Sequence, residues 1–476
     1  MTLPPLPTPV LPPSLRQPFF SGIAGSGMSA LALYLAMQKV KVTGSDRSLD
    51  EAPDLPIALA LKQQAIELVP QNGEGVKEQH SCLVVSTAIE GNNPEIKKAN
   101  QLGLPILHRS DVLHLLTQQK KSIAVAGTSG KSTVTAMIFE ILKQAHQQPS
   151  LITGAALASL QKEGLWGNAY YDTGEWIVFE ADESDGTLIK YHPDRKLLLN
   201  IDKDHKELDE LLTIFNQYIN SPQGSLIAYN KDPLIQRVLK QSKQQPTISY
   251  NINEIKINSK VHKIEQVQYE NWSTKFQIEN LKFLLKVPGA HNLTNAVAAL
   301  STCLSIGVSL ADCAQGLKNY QGIERRFQWV GHSKGLLVID DFAHNPVKIK
   351  ACLQTAKEMI KRSPELKRLV AIFHPHGFAP MKLMMDDLVD ELEGFFDSDD
   401  LLLLPEIYYV GGTADQSVSS HHFIERIKPS HKNSFFFETK PLLLQFLKEH
   451  TQSGDLIVSM GARDPHLKQF AREILN

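Results

Sequence analysis

Little in this chain is built for crosslinks, thiolate-held metals or membranes. Its four cysteines, Cys82, Cys303, Cys313 and Cys352, show no C-x-x-C spacing and sit among apolar neighbours. That pattern excludes a disulfide framework and a cysteine zinc site, and it fits buried thiols in a reducing compartment. No 18-residue apolar run occurs, and the N-terminus lacks the apolar core of a secretory signal. The expectation is a cytoplasmic protein with no membrane partner. An excess of one charge is missing too: 49 basic residues face 51 acidic ones, for a net charge of -2. No overall field therefore draws in nucleic acid, and a small-molecule substrate fits better. Internal repeats and heptad runs are also absent.

What recurs instead is an apolar strand with a polar tip. The fullest case is SIAVAGTSGKST, residues 122–133, followed by a helical pattern over 134–145. Gly127, Thr128, Ser129, Gly130, Lys131, Ser132 and Thr133 form a phosphate cradle at this tip. The glycines let backbone N–H groups approach an anion, and the helix N-terminus adds positive potential. Lys131 supplies a full charge and Ser132 a magnesium-binding hydroxyl. The usual pattern carries one more glycine where this chain has Val125, so the loop is a shortened variant.

Length predicts about three domains. Seven prolines within residues 1–18 read as an extended, loosely held arm. Residues 19–118 read as a Rossmann-like domain, with a strand, a turn of Gly22, Gly25 and Gly27, a helix, and a second strand closed by Asp46. The Gly-x-x-Gly-x-Gly spacing departs from the dinucleotide fingerprint, so NAD is the minor reading and a nucleotide diphosphate of some kind the expectation. His108 and Arg109 end this alternation, where ligands gather in parallel α/β sheets.

Residues 119–320 read as a central nucleotide-binding domain with a mainly parallel sheet. The apolar run WIVF ends in EADESDG, where Glu180, Asp182, Glu183 and Asp185 repel one another unless a cation neutralises them. A further strand over residues 197–201 ends in DKDH, and its His205 can share a divalent ion with the phosphates held by Lys131. Residues 250–287 alternate polar and apolar positions, as antiparallel strands do. In PGAHNLTN, the side chains of Asn292 and Asn295 suit an adenine edge, with helix capping by Asn292 or Thr294 as the rival reading. Residues 321–476 read as a second Rossmann-like α/β domain: four strands, separated by helices, end in DDFAHNP, HPHGF, PE and GARD.

Taken in order, GIAGSGMSAL, VTGSD, GTSGKSTVTAM, EADESDG, NIDKDH, PGAHNLTNA, RRF, DDFAHNP and GDLIVSMGA resemble the Mur ligase family over nearly the whole chain after the proline segment. The resemblance implies a three-domain ATP- and magnesium-dependent ligase that joins the carboxylate of UDP-N-acetylmuramate, or a close analogue, to an amino acid or short peptide in peptidoglycan synthesis. It implies that Lys131 holds the β- and γ-phosphates, that Ser132, Glu180 and His205 are magnesium ligands, and that His291, Asn292 and Asn295 lie at the adenine. Arg326, Asp341 and His344 match groups that the last domain brings to the nucleotide. The turn at Gly22, Gly25 and Gly27 resembles the loop that takes the UDP diphosphate, with Asp46, His108 and Arg109 as candidates for the same substrate.

The departures fall on the amine side. Where members that add L-alanine usually read Pro-His-Arg-Tyr-Ser-Arg-Thr, this chain reads Pro375-His376-Gly377-Phe378-Ala379-Pro380-Met381, and both arginines are gone. Phe342 and Asn345 replace a usual tyrosine and histidine, and no lysine matches the carbamate position of some relatives. His376, Lys382 and Arg463 are therefore the amine-side candidates. The incoming amine is expected to be L-alanine or a related amino acid, with a tripeptide, as in the murein peptide ligases, as the alternative. A non-catalytic relative is the third reading.

Overall fold

The computed structural model describes residues 11–183, 185–202, 207–409, 417–464 and 466–475. Three sheets carry the chain, and they fall into two compact units: residues 1–269 with 273–323, and residues 270–272 with 324–476.

The first sheet holds β1 (Pro18–Ser21), β2 (Thr43–Ser45), β3 (Glu67–Leu68), β4 (Cys82–Val85) and β5 (Ile106–His108) in the order β3-β2-β1-β4-β5, all parallel. Pro18 already belongs to β1, Leu15 is fully buried, and Ser81 Oγ donates to Ser14 O at 2.8 Å. The described part of the proline segment is thus packed, in contrast to the loose arm expected from its composition.

The second sheet has eleven strands in the order β16-β15-β14-β13-β12-β11-β10-β6-β9-β7-β8. Its parallel part comprises β6 (Lys121–Ala126), β7 (Ser150–Ile152), β9 (Trp176–Ala181), β10 (Arg195–Leu198), β11 (Ser225–Tyr229) and β12 (Ile248–Asn251), with β8 (Ala169–Tyr170) antiparallel at one edge. The antiparallel extension predicted over residues 250–287 is present as β13 (Glu254–Ile257), β14 (Lys260–Tyr269), β15 (Thr274–Ile278) and β16 (Leu281–Leu285). β6 and β9 are apolar almost end to end because helices cover both faces of a parallel sheet. A continuous core joins this sheet to the helix Ser26–Met37, whose Ser26 O and Ser29 Oγ each accept from Asn168 Nδ2 at 3.1 Å.

The second unit contains β17 (Gln328–Ser333), β18 (Leu336–Asp341), β19 (Arg368–His374), β20 (Leu401–Pro405), β21 (Ser434–Phe437) and β22 (Asp455–Gly461), ordered β17-β18-β22-β19-β20-β21. All but β17 run parallel. Among the described residues, no helix is long and apolar enough to cross a membrane. The four cysteines are buried free thiols.

Candidate active site

The phosphate loop forms where β6, between β10 and β9, hands over to the helix Lys131–Gln144. Gly127 and Gly130 adopt φ of +140° and +82°, and Gly130 is the helix N-cap. A Cβ on Gly127 would lie 3.1 Å from Asn200 O, and one on Gly130 would lie 2.7 Å from Asn295 Oδ1. Gly127 is therefore tight against backbone as well as left-handed, whereas Gly130 needs glycine for its conformation. Asn200 clamps the loop: its Oδ1 accepts from Ser129 N at 2.8 Å and Thr128 Oγ1 at 3.0 Å, while its Nδ2 donates to Ser129 O at 3.0 Å. Ser132 and Thr133 follow in the first helical turn, with Ser132 buried.

The acidic tip of β9 is neutralised by the protein's own cations. Lys131 Nζ donates to Glu183 Oε2 and Gly127 O, each at 2.7 Å, and lies 3.6 Å from Asp182 Oδ1. Burial opposes its charge, but Glu183, Asp182 and Glu180 outweigh burial and raise its pKa. Arg109 donates to Asp185 Oδ2 at 2.7 Å and lies 3.8 Å from Asp182 Oδ2. Its Nη1 also lies 3.5 Å from where a Cβ on Gly27 would stand, an ordinary packing distance that sets the arginine against the glycine turn.

Arg109, Glu180 and Asp182 open onto one cavity of ≈ 290 Å³. Gly25, Ser26, Gly27 and Arg109 line one side, and Thr153, Gly154, Glu180 and Asp182 line another. Glu180 Oε1 accepts from Gly154 N at 2.8 Å and from Thr153 Oγ1. Ser132, Glu180 and Asp182 offer the oxygen donors that suit a hard cation such as magnesium. Among the described residues no group of three or more His, Cys, Asp or Glu forms a ready metal cage. His205 lies outside the described residues.

Other predicted residues take more local roles. Asp46 caps the helix Arg47–Glu51 and accepts from Ala24 N at 2.9 Å, which ties the glycine turn to β2. His108 caps the helix Arg109–Thr117 through a capping box with Asp111, which fixes the start of the helix that carries Arg109, and it is absent from the cavity lining. Neither Asn292 nor Thr294 caps the helix Ala290–Ser305. Its N-cap is Gly289 at φ +95°, which no side chain fits easily, while Asn292 Nδ2 turns back to Pro288 O at 2.7 Å and His291 is exposed.

In the second unit, Asp341 is buried and accepts from Phe327 N at 2.6 Å and Ala343 N at 2.7 Å. Burial raises its pKa, with Arg326 and the two amides pulling the other way. Arg326 lies over the Phe342 ring at 5.6 Å. His344 Nδ1 faces Phe342 O at 2.8 Å, and its ring stands 5.6 Å from that of His376. Burial pushes both imidazoles down to about 4, aided by Lys348 and His376 for His344 and by Arg463 for His376. Lys382 donates to Ser417 Oγ at 3.4 Å, and Arg463 is exposed beyond the end of β22.

Sequence reasoning missed Asn200 as the loop clamp, Thr153 as the partner of Glu180, and the pairing of the acidic tip with Lys131 and Arg109. A lone asparagine after an apolar run carried no signal. The crowding of four carboxylates did signal a missing cation, without saying that the chain supplies two.

A strand, glycine loop, lysine and helix beside a glycine turn on a neighbouring parallel sheet are the build of an α/β nucleotide-binding enzyme. Three family profiles match the chain in order: Mur ligase family, catalytic domain, over residues 20–121; Mur ligase middle domain, over 125–303; and Mur ligase, glutamate ligase domain, over 325–463. The UDP-N-acetylmuramate--L-alanine ligase of Cyanothece sp. is 34% identical, covering 97% of this chain and 95% of that one. Its counterpart in Microcystis aeruginosa is also 34% identical, covering 97% and 96%. The crystal structure of UDP-N-acetylmuramate-alanine ligase MurC from Thermotoga maritima superposes with a TM-score of 0.76 at 25% identity, covering 96% of this chain and 98% of that one. The chain belongs to the Mur ligase family and is an ATP-dependent, ADP-forming ligase.

Proposed function

We propose that this protein joins the carboxylate of UDP-N-acetylmuramate to the amine of L-alanine or a related amino acid, in the cytoplasm. The observation that carries this reading is the shared cavity, where the glycine turn and Arg109 face Glu180 and Asp182. A carboxylate is a poor electrophile. It must take the γ-phosphoryl of ATP to become an acyl phosphate, which the amine attacks to leave an amide and free phosphate.

In this reading Gly22, Gly25, Gly27 and Arg109 hold the UDP-sugar phosphates, with Asp46 fixing the turn and His108 the arginine. Gly127 to Thr133 cradle the ATP phosphates, and Lys131 leaves Glu183 to meet the β- and γ-oxygens. His291, Asn292 and Asn295 belong to the adenine side, and Asn295 already packs on Gly130. Arg326, Asp341 and His344 are the nucleotide groups of the C-terminal unit, and His376, Lys382 and Arg463 its amine-side groups. Ser132 and Glu180, with His205, would hold magnesium, whose charge offsets repulsion between the phosphates and the incoming carboxylate. Domain limits at 19–118, 119–320 and 321–476 are part of the same reading, supported by the three sheets and the profile limits.

The test is ADP release from ATP with L-alanine, in the presence and absence of UDP-N-acetylmuramate. The reading requires release that depends on the muramyl nucleotide.

A further inference from the structure

A row of hydrogen bonds crosses the edge of the central sheet and ends on the glycine turn of the first sheet. β7 lies between β8 and β9, with Ile152 opposite Ala169 on one side and Phe179 on the other. One residue further along, Asn168, Thr153 and Glu180 stand side by side. Thr153 N donates to Asn168 O at 3.0 Å. Thr153 Oγ1 and Gly154 N both donate to Glu180 Oε1, the amide at 2.8 Å. At the other end of the row, Asn168 Nδ2 donates to Ser26 O and Ser29 Oγ, each at 3.1 Å. Both acceptors belong to the first turn of the helix that Gly25 caps, and Ser29 N donates back to Gly25 O at 2.8 Å. The glycine turn and the Glu180 carboxylate, which line the same cavity, are thus joined through Asn168 and Thr153.

Two features set Asn168 apart from a residue that only fills space. It is 2% exposed, yet its Oδ1 has no hydrogen-bond partner among the described residues. Burying an amide with one end unmet costs stability, and an apolar side chain would avoid that cost where only packing is needed. What the amide alone supplies is its pair of N–H donors, and both are aimed at the glycine-turn helix. The second feature is permanence. Arg109 also spans the two sheets, through Asp185 and Asp182, but it lines the cavity, where an anionic ligand competes for it. Asn168 is absent from that lining, so a ligand in the cavity does not reach its donors.

We propose that Asn168 is a positioning residue that sets the distance between the glycine turn and Glu180, and so aligns the ligand held at one with the ligand held at the other. It touches no reacting atom. The proposal rests on the ligase reading, in which the turn holds the UDP-sugar phosphates and Glu180 belongs to the ATP side. It separates alignment from binding, because each ligand keeps its own contacts when the spacing shifts. A misplacement of about 1 Å between reacting groups costs on the order of 100-fold in rate.

The experiment compares the wild type with Asn168→Asp, Ser29→Ala and the double variant. Aspartate keeps the shape but sets an oxygen against Ser26 O, whereas Ser29→Ala removes one of the two acceptors and leaves the other. The measurements are Tm, the calorimetric Kd for ATP and for UDP-N-acetylmuramate, and kcat for ADP release with L-alanine well below the lowest Tm. For Asn168→Asp, kcat should fall about 10- to 100-fold while both Kd values stay within about threefold of wild type. Ser29→Ala should lose less, and the double variant should be no worse than Asn168→Asp, since both changes strike one contact. A kcat within about twofold of wild type, whatever the Tm, would make Asn168 a packing residue and overturn the proposal. A rise in Kd that accounts for the whole loss, or additive losses in the double variant, would overturn it too. If Asn168→Asp does not fold, Ser29→Ala decides by the same split between kcat and Kd. No ADP release by the wild type would overturn the ligase reading itself, a failure that no variant is needed to recognise.

Discussion

The phosphate side of the first unit and the strand tips of the second handle charge in opposite ways. In the first, the cations are stowed: Lys131 rests on Glu183 and Arg109 on Asp185, with Asp182 within 4 Å of both. In the second, Arg325 and Lys440 are also paired, with Asp340 and Asp464, but Arg326 and Arg463 are exposed, and His344, His374 and His376 are kept neutral by burial. In the proposed reading the difference follows from the ligands each side would serve. A polyanion carries more charge with which to compete for a lysine than a single carboxylate does. An amino acid offers only one carboxylate, a weaker competitor for a cation already held by a buried partner.

Removing Lys131 should break the first arrangement most severely. Lys131→Ala should lower turnover at least ~10³-fold, or ~4 kcal/mol of transition-state stabilisation. It should also lower the Tm, because Glu183 would stay buried without its cation. Lys131→Ala/Glu183→Gln should then regain stability but no activity. Full turnover in the single variant would remove the phosphate role, and an unchanged Tm would remove the idea of a stowed charge.

Glu180→Gln tests the metal side of the same cavity. The magnesium concentration for half-maximal rate should rise by at least ~10-fold, since even outer partners of a metal site carry 10- to 100-fold effects. Chelation with EDTA should abolish ADP release from the wild type. An unchanged magnesium dependence would place the ion elsewhere.

Asn200→Ala should loosen the loop rather than remove its charge. Three hydrogen bonds are lost from a partly buried side chain, so stability should fall by about 1–3 kcal/mol and the KM for ATP should rise. A urea midpoint and an ATP titration measure both, and a change in neither would reduce Asn200 to a bystander.

How much of this was legible follows the range of the interactions. The phosphate loop could be read because strand, glycines, lysine and helix are contiguous, and each has a local physical reason to be there. The three α/β sheets were legible through their alternation, including the antiparallel extension of the central one. Asn200 and Glu183 were not, because their partners lie 71 and 52 residues away and only the sheet order brings them together. The start of the helix Ala290–Ser305 misled for another reason. Its asparagine and threonine are good caps on average, but Gly289 at φ +95° takes the cap and leaves Asn292 to hold the preceding loop.

The smallest expected effect sharpens the other half of the comparison. His344 and His376 have folded pKa values of about 4, against about 6.5 for an unperturbed histidine. The unfolded chain then binds protons more readily between these values, so the neutral imidazoles favour the fold fully above pH 6.5. That contribution is lost as the pH falls toward 4. Allowing for partial solvent screening, each histidine should remove about 1 kcal/mol by pH 5. His376→Gln, which keeps the polarity but not the titration, should show a smaller drop in urea midpoint between pH 7.5 and pH 5 than the wild type. Its activity at pH 7.5 should nevertheless fall, because the amide cannot replace an imidazole at the amine. Equal pH slopes in the two proteins would show that His376 is not held neutral by its surroundings, and the contrast between stowed charges on one side and suppressed charges on the other would lose that residue's support.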